Sequence, residues 1–130
     1  VSAPWFYIGN LVGSSNNSVL VAGSGSTLSN SENLYIGLSG SGNSLVISNG
    51  GKVTSFSAWL GLNAGSSNNS VLVTGSGSSL SNNSIAGTSI GNAGEGTLTV
   101  ANGGVWGKCI AVARPSARTD QIKTNRGCGK

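Results

Sequence analysis

The sequence predicts an all-β fold: a parallel β-solenoid, or β-helix, of about four coils with three short strands in each. Three observations predict it. The nine residues "GSSNNSVLV" occur identically at 13–21 and 65–73. Apolar triplets recur at 19–21, 45–47, 71–73 and 98–100, with starts 26, 26 and 27 residues apart. A Gly-rich turn follows each triplet, at 23–25, 49–51, 75–77 and 102–104. Strands this short cannot bury a face alone, and a period in the twenties suits a solenoid in which each coil covers the next.

Four units follow in order. The first, about 5–31, runs from Ile8-Gly9 through "VLV" and "GSG" to Leu28. The second, about 32–58, runs from Ile36-Gly37 through "LVI" and "NGG" to Val53. The third, about 59–84, repeats the first type with Leu60-Gly61, "VLV", "GSG" and Leu80. The fourth, about 85–107, repeats the second type with Ile90-Gly91, "LTV", "NGG" and either Val105 or Trp106. Residues alternate faces along a strand. Val19 and Val21, Leu45 and Ile47, Val71 and Val73, and Leu98 and Val100 should therefore point inward and form aliphatic ladders. Stacked coils lie about 4.8 Å apart, so four give a prism of roughly 15–20 Å. The turns Asn49-Gly50 and Asn102-Gly103 need residues that tolerate positive φ, and their asparagines are expected to hydrogen-bond from coil to coil.

The stretches "SLVISNGGKV" and "TLTVANGGVW", alternating with "NSVLVTGSGSSL", resemble the repeats of bacterial autotransporter (type V secretion) passengers and PEP-CTERM-associated surface proteins. The resemblance covers about 5–107. It implies a right-handed β-helix carried to the surface of a bacterium or beyond, adhesive or structural in role, with no catalytic residue in the repeat. The segment 108–130 departs from the pattern. A cap, a non-native end and an assembly element all remain open for it.

Composition narrows the function classes. The chain has no His, so no Ser-His or Cys-His pair can form. Glu32, Glu95 and Asp120 are the only carboxylates and fall in different parts of their units, which supports neither a glycosidase pair nor a calcium cluster. No metal, cofactor or enzymatic activity is expected. Residues 1–107 are nearly neutral, with Lys52 against Glu32 and Glu95, while 108–130 hold six Lys or Arg against Asp120. No aromatic residue is interleaved with these charges, which favours a solvated terminus over a nucleic-acid contact. Cys109 and Cys128 lie in this tail. One disulfide and two free thiols both remain open for them. No apolar run is long enough to span a membrane. A start at Val1, without a charged-then-apolar leader, is expected of a processed product or of a piece of something longer.

Two surface features are expected to bind. If Ile8, Ile36 and Leu60 point inward, Tyr7, Tyr35 and Trp59 point outward as an aromatic stripe suited to sugar rings or another protein. The middle residues of the triplets, Leu20, Val46 and Leu72, should form an outward aliphatic ladder for lateral contact between solenoids. The solenoid ends carry unpaired strand edges unless capped. "APWFY" at 3–7 is a candidate plug for one of them. The expected function is a non-enzymatic extracellular structural protein, surface or fibre-forming, assembling with its own copies end to end or laterally. The alternative is an adhesin-type module that recognises glycans or a partner surface through the aromatic stripe.

Overall fold

A computed structural model describes residues 1–84 and 88–107, with the backbone of 111–112 and 122–124. Among the described residues the chain runs through fifteen short strands. The first rung is β1 (Ser2–Ala3), β2 (Phe6–Ile8) and β3 (Ser18–Ala22). The second is β4 (Thr27–Asn30), β5 (Asn33–Ile36) and β6 (Ser44–Ser48). The third is β7 (Lys52–Ser55), β8 (Ser57–Leu60) and β9 (Asn69–Thr74). The fourth is β10 (Ser79–Asn82), β11 (Thr88–Ile90) and β12 (Gly96–Ala101). The fifth is β13 (Val105–Gly107), β14 (Ala111–Val112) and β15 (Ile122–Thr124).

Each rung contributes one strand to each of three five-stranded sheets, ordered β1-β4-β7-β10-β13, β2-β5-β8-β11-β14 and β3-β6-β9-β12-β15. Every pairing is parallel. The fold is therefore a parallel β-solenoid of about four turns, as the period predicts. The tail 108–130 leaves the repeat in sequence, but its segments β14 and β15 pair with β11 and β12 and extend the sheets. Cys109 and Cys128, with their open disulfide, lie outside the described residues.

Side-chain alternation builds the core. In β6, Leu45 and Ile47 are buried while Ser44, Val46 and Ser48 are half-buried, and β9 and β12 show the same parity. Stacked registers place Val19, Leu45, Val71 and Leu98 in one inward ladder and Val21, Ile47, Val73 and Val100 in another. The second sheet adds Ile8, Ile36, Leu60 and Ile90. The first adds Leu28, Val53, Leu80 and Trp106. Trp106 takes the inward place of the fourth unit at 4% exposure, leaving Val105 outside. Burial of each such side chain contributes roughly 1.5–3 kcal/mol.

The core also holds polar groups, most of them with partners; Asn30 Oδ1 and Trp59 Nε1 are buried without one among the described residues. Trp106 Nε1 donates to Thr88 Oγ1 at 3.1 Å, which donates to Asn82 Oδ1 at 2.7 Å, while Asn82 Nδ2 reaches Ser55 Oγ at 2.7 Å. This chain of bonds satisfies the corner between the first two sheets, where unpaired polar atoms would otherwise be costly. At the turn after β6 the coils come into close backbone contact. A Cβ on Gly51 would lie 2.2 Å from the Val21 carbonyl oxygen, so only glycine lets the chain pass there.

Candidate functional site

The third sheet has the most regular outer face. Leu20, Val46, Leu72 and Thr99 are in register along it, flanked by the rows Ser18-Ser44-Ser70-Thr97 and Ala22-Ser48-Thr74-Ala101. None of these twelve positions carries a charge. The expected aliphatic ladder is present. Leu20 is 65% exposed, whereas Val46 and Leu72 are half-buried. The difference is positional: inner rungs have a neighbour on both sides, and the first rung has one.

The second sheet carries the aromatic stripe with the expected parity. Tyr7, Tyr35, Trp59 and Ser89 stack in register. Tyr7 is 44% exposed, and its ring stacks on Tyr35 with centroids 5.0 Å apart and planes within 5°. Asn33 Nδ2 donates to the Tyr35 hydroxyl at 2.9 Å. Trp59 Nε1 is buried without a hydrogen-bond partner among the described residues. Mutual stacking has a chemical consequence. Tyr35 spends one ring face on Tyr7, so this part of the stripe offers ring edges and hydroxyls more than open faces.

The turn residues divide into a correct and a corrected expectation. Asn49 (φ 51°) and Gly50 (φ 87°), like Asn102 (φ 50°) and Gly103 (φ 84°), do adopt the left-handed conformation. They form no asparagine stack. The two "NGG" turns are two coils apart with a "GSG" turn between them, so Asn49 and Asn102 do not stack on each other, but Asn102 Nδ2 does bond from coil to coil, to Thr74 Oγ1 at 3.2 Å. The coil-to-coil column is Asn17, Asn43 and Asn69. Asn17 donates from both backbone N and Nδ2 to Asn43 Oδ1, at 3.0 and 2.9 Å. Asn43 repeats this to Asn69 Oδ1, at 3.0 and 3.1 Å. Asn69 Nδ2 ends the column on the Gly40 carbonyl and Ser66 Oγ, because the next position in register is Gly96. The signal in the sequence is the 26-residue spacing of one asparagine in "SSNNS" and "GSGNS".

"APWFY" does not plug the end. Its residues run into the first rung, with Trp5 exposed and only Phe6 turned toward the core. Among the described residues no group of His, Cys, Asp and Glu is placed to hold a metal, and no helix is long and apolar enough to cross a membrane. No family model matches the chain, and comparisons with curated proteins and with solved structures return no match.

Proposed function

We propose that this chain is a non-enzymatic structural protein of a bacterial cell surface or its exterior, a β-solenoid subunit that associates with its own copies end to end or laterally. The observation that carries the reading is the in-register outer face of β3, β6, β9 and β12, uncharged over these four strands of the third sheet, with its Leu20-Val46-Leu72 ladder. Apolar rows on a flat sheet favour association with a similar surface. The surface location rests on the resemblance of the repeats to exported passengers. The test is the assembly state of the purified chain by sedimentation and electron microscopy. Rods or lateral bundles are expected, and bundles should fall apart in Val46→Lys. A chain that stays monomeric at every concentration, with its β-sheet spectrum intact, rules the reading out.

A second reading is a binding module for glycans, favoured by the register of Tyr7, Tyr35 and Trp59 on one face. Replacing Tyr35 and Trp59 with Ala should then abolish retention on a carbohydrate array without loss of folding. Unchanged retention rejects it.

A further inference from the structure

The turn between β6 and β7 joins two features that matter together. Asn49 is followed by Gly50, the neighbour that least hinders attack of its own backbone nitrogen on the asparagine carboxamide, since it has no side chain in the way. Asn49 is exposed at the tip of this turn. Its φ of 51°, the Gly50 φ of 87° and a bond from Gly51 N to Ser48 O at 2.9 Å form a type I′ turn. The carboxamides of Asn17, Asn43 and Asn69 are engaged in the column, and that of Asn102 donates to Thr74 Oγ1. The Asn49 carboxamide makes no hydrogen bond among the described residues.

What is held is the nitrogen. Gly50 N–H donates to Ser78 Oγ at 3.0 Å. Ser78 comes from the corresponding turn of the next coil, after β9, and is fully buried. The proton that Gly50 must lose before it can attack is therefore fixed by a contact between coils.

We infer that Asn49 is a site of spontaneous deamidation, latched by the Ser78 hydroxyl and released when the second and third coils part. The reaction needs only water. Gly50 N gives its proton to solvent and bonds to Asn49 Cγ. The Cγ–Nδ2 bond breaks, and Nδ2 takes up a proton and leaves as ammonia. Water then adds to either carbonyl of the five-membered imide and breaks one of its two C–N bonds, which yields aspartate or isoaspartate. Isoaspartate carries the backbone through the former side chain and adds a methylene to the turn. The turn has no slack for it, because a Cβ on Gly50 would lie 3.4 Å from Ser24 Cα and one on Gly51 2.2 Å from the Val21 carbonyl oxygen. Either product also sets a carboxylate next to Ser48, in the outward row Ala22-Ser48-Thr74-Ala101. A copy whose coils have once separated is thus marked permanently and restacks poorly.

The test follows the tryptic peptide that ends at Lys52 by mass spectrometry during incubation at mildly alkaline pH, with isoaspartate separated from aspartate by chromatography. In the unmodified chain, Asn49 should convert slowly when folded and several-fold faster in denaturing urea. Ser78→Ala should speed conversion of Asn49 by roughly tenfold, the scale of one hydrogen bond whose donor is left unpaired. Asn102-Gly103 in the same sample is the reference for general loosening, and its rate should stay unchanged. Hydrogen exchange at the Gly50 amide of the unmodified protein reads the latch without any variant, and it should be strongly protected. Equal rates for Asn49 in the folded and denatured chain, a Gly50 amide that exchanges as freely as in an unfolded peptide, no acceleration in Ser78→Ala, or equal acceleration at Asn102 would each overturn the inference.

Discussion

Asn16 and Asn17 are adjacent and chemically identical, yet they do different work. Asn16 takes a left-handed backbone at φ 61°, while Asn17 opens the column that runs through Asn43 to Asn69. The sequence marks both as turn formers and does not distinguish them, because the distinction lies in which carbonyls and amides the next coil presents. Asn43, fully buried in the middle of the column, is the most direct test of its energetics. Asn43→Ala strips the acceptor from the exposed Asn17 and one donor from the buried Asn69. Unfolding in urea should show a loss of roughly 1–3 kcal/mol, the cost of removing hydrogen-bond partners inside the stack. Trp59 runs the other way. Its Nε1 is already buried and unsatisfied, so Trp59→Phe removes a penalty along with some packing. Its unfolding free energy should stay within about 1 kcal/mol of the unmodified value or rise.

Strands and corners divide the constraints of the fold unequally. On the third sheet the registers Val19-Leu45, Leu45-Val71 and Val71-Leu98 advance by 26, 26 and 27 residues. On the second, Ile8-Ile36, Ile36-Leu60 and Leu60-Ile90 advance by 28, 24 and 30. The corners absorb the difference. The triplets were therefore legible as strands, with inward and outward faces correct, since alternation and repetition are both local signals. The close pairing of β14 and β15 was not legible, because their residues share no pattern with the coils they join. One glycine inserted after Gly13, where the exposed corner has open space around it, should cost less than about 1 kcal/mol. One residue inserted between Leu45 and Val46 reverses the facing of everything after it in β6. That variant should lose its cooperative urea transition, as followed by circular dichroism.

At the scale of the molecule, each coil touches only its neighbours, so stability is set rung by rung. The second and third rungs are covered on both sides and the first on one. Native-state hydrogen exchange should rank β6 and β9 slowest and β3 faster by roughly two orders of magnitude. Equal rates along the stack would contradict a nearest-neighbour solenoid. The architecture was legible at this scale and the role much less so, since an outward row of Ser, Thr, Leu and Val identifies a flat face without identifying what lies on it. The repeated "GSSNNSVLV" has one more consequence. Its two copies start 52 residues apart, and the registers Ser18-Ser44 and Ser44-Ser70 put them two rungs apart in one row. Unequal crossing-over between the matching gene segments would delete or duplicate two whole coils and rejoin the chain at an equivalent point. Rod length can then drift between lineages in increments of about 10 Å, and selection can act on reach without rebuilding any contact.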